Sequence, residues 1–449
     1  MNIVIIGIGK VGLTLTEQLS KEDHNIVIVD KSKSVIEKAV NDYDVMGVVG
    51  NGASSDIQKE AKIDTADLLI ACTSSDELNI LSCMVAKKLG VTDTIARVRN
   101  PEYFKLFMSR ELGLNLMVNP EYEGAMEIFR VLRSPGAIMI ESFAEGKVDL
   151  VELKLTQGNP AVNLSVSQFV EKFNINLLIC ALQRGEDVII PKGSTILRED
   201  DQIYITASSQ DICNILRKAG FRKNPLKNVM IIGGGRISFY LTKELEKISA
   251  KVKIVEKDEA KCLDLITQLD KVEVIAGDGS DQQILIEEGL KSADAIVILT
   301  GSDEENIMIS IFAKNAGAQT IITKVNKLSY YSMLRASGVD SIISPRLITA
   351  NQIIRYVRAK QNSKGSAVLN LYKIVNDKAE ALEFIVTEKF EGISKPLKEL
   401  KLKENLLIAN ILRGSEFITP HGGQTIEKGD KVIVVTTQGY LKDLNDILK

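Results

Sequence analysis

Ile3-Val4-Ile5-Ile6-Gly7-Ile8-Gly9-Lys10-Val11-Gly12 decides the fold. Four β-branched residues read as a buried strand, and glycines spaced G-x-G-x-x-G open a helix expected from Leu13 to Leu19. Asp30 closes the next β-branched run, 18 residues past Gly12. In such a loop Gly7 makes the tight turn, Gly9 lets the backbone approach a pyrophosphate and Gly12 lets helix and strand pack. The helix N-terminus then directs N–H groups at the anion.

The stretch occurs twice. Val229-Met230-Ile231-Ile232-Gly233-Gly234-Gly235-Arg236-Ile237-Ser238 repeats it at an offset of 226. The match continues in order: Val27 to Asp30 with Lys253 to Glu256, Gly50-Asn51-Gly52 with Gly277-Asp278-Gly279, and Thr73 to Asn79 with Thr300 to Asn306. Arg130 to Arg133 answers Arg355 to Arg358, and Leu182 to Tyr204 answers Ile411 to Ile433, with the offset staying between 225 and 229. An internal duplication of half the chain follows.

Outward from the first loop, six candidate strands (Ile3 to Ile6, Ile26 to Val29, Val45 to Val49, Leu68 to Cys72, Thr94 to Val98, Leu116 to Val118) alternate with helical patterns. That is the pattern of a doubly wound parallel sheet. After Arg133 short strands are separated by Gly, Pro and Asp turns, which predicts a small α+β module. The expected fold class is α/β: two Rossmann-like domains, each followed by a small α+β domain. The expected domains are 1–133, 134–224, 225–360 and 361–449, with boundaries at Ser134 to Ala137, Phe221 to Lys227 and Gln361 to Gly365. Helices from Glu121 to Arg133 and from Leu347 to Arg358, apolar on one face, are the candidates for crossover elements between lobes.

Composition narrows the function. In 449 residues, 56 basic and 59 acidic side chains give a net charge of -3, so no global field holds nucleic acid or anionic lipid. Aromatics are 5% and Trp is absent, which removes the usual stacking platforms. Five cysteines without a C-x-x-C pair point to a reducing compartment. Met1-Asn2 runs directly into a strand-like segment, so no export signal is expected, and apolar runs fall far short of the roughly 20 residues that span a bilayer.

Strand ends of a doubly wound sheet carry its ligand. The first candidate site is Gly7, Ile8, Gly9, Lys10, Val11, Asp30, Asn51, Gly52, Ala53, Thr73, Ser74 and Arg97. Asp30 would accept hydrogen bonds from a ribose and repel a 2'-phosphate, favouring NAD(H) over NADP(H). The second is Gly233, Gly235, Arg236, Ile237, Glu256, Asp278, Gly279, Thr300 and Lys324, with Ser238 where Gly12 stood; it is expected to hold NAD(H) or ATP/ADP. No acid/base pair for catalysis stands out. His24 and His421 read as surface residues, and Tyr356-x-x-x-Lys360 as a chance match, since Val131 takes the tyrosine's place in the first half. No metal-ligand cluster is expected.

Gly7-Ile8-Gly9-Lys10-Val11-Gly12, Asp30, Gly50-Asn51-Gly52, Thr73-Ser74-Ser75-Asp76-Glu77 and Arg97-Val98-Arg99, duplicated with a small domain after each, closely resemble the regulatory subunits of Trk-type potassium uptake systems. The resemblance covers essentially the whole chain. It implies two RCK modules, NAD-contacting roles for Gly7 to Val11, Asp30, Thr73, Ser74 and Arg97, and a homo-oligomer, commonly a tetrameric ring. It also implies docking as a cytoplasmic, peripheral protein on a TrkH-like membrane potassium channel subunit, with nucleotides as gating ligands and no nucleic-acid partner. The rivals are a soluble NAD-dependent oxidoreductase, which would need a catalytic pair, and a nucleotide-sensing transcription regulator, which would need a basic recognition helix.

Overall fold

In a computed structural model of the chain, each β-branched run forms a strand. The structure describes residues 1–449 except 23, 101, 104–112, 135, 222–225, 319, 340, 363–367, 376–377, 438–440 and 442. The expected boundary stretches thus run partly through residues outside the described set. The first sheet holds β1 (Asn2–Ile6), β2 (Asn25–Asp30), β3 (Met46–Val49), β4 (Leu68–Ala71), β5 (Asp93–Arg97) and β6 (Leu116–Val118). All its pairings are parallel, in the order β3-β2-β1-β4-β5-β6, so the switch point falls between β1 and β4.

An antiparallel sheet follows, of β7 (Ala137–Phe143), β8 (Val148–Lys154), β9 (Leu178–Arg184), β10 (Asp187–Ile189) and β11 (Gln202–Ser208), in the order β10-β9-β11-β8-β7. Both sheets recur. β12 (Asn228–Ile232), β13 (Lys251–Glu256), β14 (Val272–Ala276), β15 (Ala295–Ile298), β16 (Ile321–Lys324) and β17 (Ser341–Ile343) pair in parallel in the first sheet's order. β18 (Val368–Ile374), β19 (Ala379–Ile385), β20 (Leu406–Arg413), β21 (Glu416–Ile418) and β22 (Lys431–Thr436) repeat the antiparallel one. In each small sheet a buried aspartate holds an arginine through two hydrogen bonds: Asp201 with Arg184 at 2.7 and 2.8 Å, Asp430 with Arg413 at 2.9 and 3.0 Å.

The helices between parallel and antiparallel sheets exchange places. The first crossover helix (Pro120–Arg133) starts from a strong sequence signal. Asn119 caps it through bonds from the Glu121 and Tyr122 amides, Pro120 opens it, acids fill its first turn and arginines its last. Its apolar face, Ala125, Ile128, Phe129, Val131 and Leu132, joins Ile231, Leu241 and Ile254 in the core of the second parallel sheet. Conversely, Ala350, Ile353, Ile354 and Val357 of the second crossover helix (Pro345–Asn362) enter the core of the first sheet beside Ile5, Leu15 and Ile28. Each half therefore completes the other's core, and burying one such Ile is worth roughly 1.5–3 kcal/mol.

Polar anchors fix the far end of the second crossover helix. Tyr356 donates to Asp93 Oδ1 at 2.8 Å and Lys360 Nζ lies 3.0 Å from the same oxygen. The Tyr-x-x-x-Lys match is thus a structural clasp. His24 corrects the surface reading: its side chain is fully enclosed, with Nε2 3.4 Å from Glu22, which in turn pairs with Arg358. The Met1 amino group lies 3.3 Å from His24 Nδ1, and the Glu22–Arg358 pair ties this turn to the second crossover helix. Burial alone would raise the Glu22 carboxyl, but hydrogen bonds with His24 and Arg358 hold it below the usual range. His421 is exposed, as expected.

The small sheets pack on each other through Phe143, Tyr204, Tyr372, Ala381 and Val435, with the Phe143 and Tyr372 rings 4.4 Å apart. Where the crossover helices meet this pair, Glu127, Arg130, Glu141 and Arg355 form one charged cluster. Arg355 and Glu141 stand 3.9 Å apart and keep 25% and 23% of their side-chain surface. Burial first, then the Glu141 charge, pushes the Glu127 carboxyl up to about 8 against Arg130 and Arg355. An unfolded glutamate titrates near its ordinary 4.5, so this group costs the folded state nothing below that pH. The cost grows as pH rises toward 8. Glu127→Gln is therefore expected to raise the melting temperature by roughly 2–4 °C at about pH 8.5 and to leave it unchanged near pH 4.5, read by thermal melts across pH.

Candidate functional site

At the carboxyl edge of the first sheet the glycine loop leaves β1 at Gly7, whose φ of +92° is accessible to glycine without strain. A Cβ there would lie 2.7 Å from the Thr73 amide nitrogen, so the loop is pressed against the exit of β4. At Gly12 a Cβ would fall 2.0 Å from the Gly7 carbonyl oxygen, which lets the helix Lys10–Leu19 pack flush on the turn. At Gly9 a Cβ would meet nothing within 4 Å, so the backbone there faces open space. This helix has Gly9 as its N-cap, no capping side chain and no acid in its first turn. Its free N–H groups and partial positive charge are left for an outside anion.

Strand ends bring the remaining first-half candidates to the same edge. Asp30, last in β2, accepts from the Ile8 amide at 2.8 Å and from the Ser32 amide at 2.9 Å, which ties the loop to β2. Asn51 to Ala53 follow β3, and Asn51 Oδ1 accepts from the Ala53 amide at 3.3 Å. Arg97, last in β5, is held below its ordinary value by burial and by neighbouring Arg99. Ile8 and Val11 turn their side chains inward, 5% and 6% exposed, so they offer backbone alone.

Asn79, absent from the candidates, organises these ends. Its Oδ1 accepts from the Thr73 amide at 2.8 Å and hydroxyl at 2.7 Å, while its Nδ2 donates to the Arg97 carbonyl at 2.8 Å. Asn306 repeats every one of these bonds with Thr300 and Lys324. Asp76 likewise accepts from the Arg99 and Asn100 amides, and Asp303 from those of Asn326 and Lys327. The signal lay in the repeat itself, where Thr, Ser, Asp, Glu and Asn are kept between the two segments.

The second edge preserves the scaffold and alters its lining. Gly233 has φ +101°, Gly235 faces open space, and the helix Arg236–Lys247 again lacks a capping side chain and first-turn acid. Glu256 Oε2 accepts from the Gly234 amide at 2.6 Å, as Asp30 does from Ile8. The longer side chain fits because glycine replaces Ile8: a Cβ at 234 would lie 3.0 Å from Glu256 Cγ. Ser238 is buried and donates its hydroxyl to the Gly233 carbonyl. Gly279 lies against Ile232 as Gly52 lies against Ile6. Asp278 is held below the usual carboxylate range by the Ser280 amide and hydroxyl, and Lys324 below its ordinary value by burial.

Among the described residues no three of His, Cys, Asp and Glu gather to hold a metal ion, and no helix is long and apolar enough to cross a membrane. Residues 3–120 and 229–345 match the TrkA-N domain, and residues 150–241 and 382–449 the TrkA-C domain. A Trk system potassium uptake protein TrkA homolog of Archaeoglobus fulgidus is 32% identical, with all of both chains covered. The Trk system potassium uptake protein TrkA of Haemophilus influenzae is 32% identical over all of this chain and 97% of its own. The solved GsuK channel bound to NAD shares the fold, with a TM-score of 0.64 at 18% identity over 97% of this chain and 76% of that one. These curated relatives are named for potassium uptake and not for an enzymatic activity. With both domains matched twice and full-length relatives at this identity, the chain belongs to the TrkA family of Trk system potassium uptake proteins.

Proposed function

We propose that this chain is the nucleotide-sensing regulatory subunit of a potassium uptake system, binding NAD(H) at the first edge and NAD(H) or ATP/ADP at the second. The observation that carries the reading is the duplicated cradle: an uncapped helix N-terminus behind a left-handed glycine, with an acid at the end of the neighbouring strand. That chemistry suits a phosphate on the amides and a ribose at the acid. Gly7 to Val11, Asp30, Asn51 to Ala53, Thr73, Ser74 and Arg97 bind at the first edge. Gly233, Gly235, Arg236, Ile237, Glu256, Asp278, Gly279, Thr300 and Lys324 bind at the second. That GsuK was solved with NAD, and in another structure with ADP, supports both ligands for this architecture.

The nucleotide is sensed and left intact. Copies of the chain assemble as a ring, a tetramer on the family pattern, and lie on the cytoplasmic face of a TrkH-like channel subunit. The crossover helices give binding a route outward, because each joins the small domains to the core behind the opposite glycine loop. Moving a population from 1:99 to 99:1 takes roughly 5.5 kcal/mol, while coupling between two sites supplies about 1 to 3 kcal/mol. Two cradles in each of several subunits make up the difference.

Calorimetric titration of the full chain with NADH, NAD, ATP and ADP tests the reading, with saturable binding and no turnover expected; oxidation of NADH in the presence of a substrate would overturn it. Asp30→Asn keeps one acceptor oxygen, for the Ile8 amide, but loses the one that serves the Ser32 amide and removes the charge. It is expected to weaken NADH binding about tenfold and to narrow its advantage over NADPH in the same titrations. Asn79→Ala strands the Thr73 and Arg97 backbone groups, with an expected stability loss of about 2–3 kcal/mol in denaturant melts.

A further inference from the structure

One peptide group in each glycine loop is held from both sides. Between Gly7 and Ile8 the N–H donates to Asp30 Oδ2 at 2.8 Å, while the carbonyl on the opposite side accepts from the Cys72 thiol at 3.2 Å. Among the described residues no backbone amide bonds to that carbonyl. The thiol keeps its proton to donate, because burial pushes it up to about 12 against the charge of Arg97.

The second loop keeps both bonds and takes one of them from a different element. Between Gly233 and Gly234 the N–H donates to Glu256 Oε2 at 2.6 Å, but the carbonyl accepts from the Ser238 hydroxyl on the loop helix. Leu299, which has no side-chain donor, stands where Cys72 stood. Their amides make the same bond, Cys72 to the Ile6 carbonyl at 2.8 Å and Leu299 to that of Ile232 at 2.7 Å. Conversely, Gly12 stands in the first half where Ser238 stands in the second, and a Cβ there would lie 2.0 Å from the Gly7 oxygen and 3.2 Å from Cys72 Sγ. Gly12 with Cys72, and Ser238 with Leu299, are two solutions to one requirement, a donor for the carbonyl behind the loop.

A buried carbonyl that loses its donor turns toward water. Open space lies on the outer side of each loop, over Gly9 and Gly235, where a Cβ would meet nothing within 4 Å. That side is the one offered to phosphate, and a carbonyl oxygen turned that way opposes the anion that the helix N–H groups attract.

We propose that Cys72 and Ser238 are positioning residues of the two cradles, each holding the loop carbonyl away from bound phosphate, so that affinity depends on a side chain that does not touch the anion. The proposal rests on the nucleotide reading above. A thiol donates more weakly than a hydroxyl, so the first cradle has the weaker hold.

The test is calorimetric titration of the full chain with NADH and with ADP, beside thermal melts. Cys72→Ala removes the donor and is expected to weaken about fivefold the probe or class of site that Asp30→Asn also weakens, and Ser238→Ala to weaken the other about tenfold. Cys72→Ser supplies the stronger donor and is expected to bind at least as tightly as wild type, even where it melts lower. A cysteine that only filled the core would give variants that differ in melting and bind alike. Wild-type affinity in either Ala variant overturns the proposal for that cradle and leaves the nucleotide reading standing, as does a Cys72→Ser that binds no better than Cys72→Ala. A wild-type chain that binds neither probe overturns that reading and the proposal with it. Should Cys72→Ala not fold, Cys72→Val, which fills the space without a donor, takes its place beside Cys72→Ser and decides by the same order.

Discussion

The arrangement depends on one exchange, the burial of each crossover helix in the core of the opposite half. Phe129 and Leu132 fill the second parallel sheet's core, and Ile353 and Val357 fill the first's. Neither sheet has a complete hydrophobic face without the other half of the chain. The exchange also sets where the glycine loops sit. A Cβ added at Gly124 of one crossover helix would lie 3.5 Å from Pro345 of the other and 3.8 Å from Ile237 of the second loop helix. A shift of either loop helix is therefore felt at the crossing, because packed interiors transmit displacement.

From that crossing the contacts run directly into the small sheets. Arg355 lies over the Tyr372 ring, and the Tyr372 hydroxyl donates to the Ser142 carbonyl in the opposite small sheet at 2.8 Å. Buried Glu383 reaches across the same junction to accept from the Ala144 amide at 3.1 Å. The two small sheets thus share polar joints as well as an apolar interface. The partly buried ion cluster beside this junction is costly unless its geometry is kept.

The sequence made much of this legible, for identifiable reasons. A glycine loop followed by an acid is a local signal, and duplication doubled it, so the strands, the loops and their placement at the carboxyl edge could be read from spacing. Both crossover helices could be expected from their apolar faces. Which sheet each would enter could not, because Ala125, Ile128 and Phe129 describe a face to be buried and not its partner, and the repeat offers two similar cores. Asn79 was missed because a polar residue in a helix's first turns reads as solvent-facing unless the carbonyl it will meet, eighteen residues on, is already placed. His24 was misread for a related reason: its neighbours are the Met1 amino group and a Glu22 that itself pairs with Arg358 of the other half, and spacing shows neither.

Comparison of the halves shows which contacts are under constraint. The bonds that hold the loops survive with their chemistry intact, the acid to the loop amide and the asparagine to two strand ends. Where one partner changed, a second compensated: Glu256 is a methylene longer than Asp30, and glycine replaces Ile8 in front of it. What differs is the lining of the open edge: Asp278 for Asn51 and Arg346 for Glu121 change its charge, while Lys324 for Arg97 keeps the positive charge on a different head group. On the nucleotide reading proposed above, two cradles that keep one scaffold and vary its lining suit two anions, or one anion at two affinities.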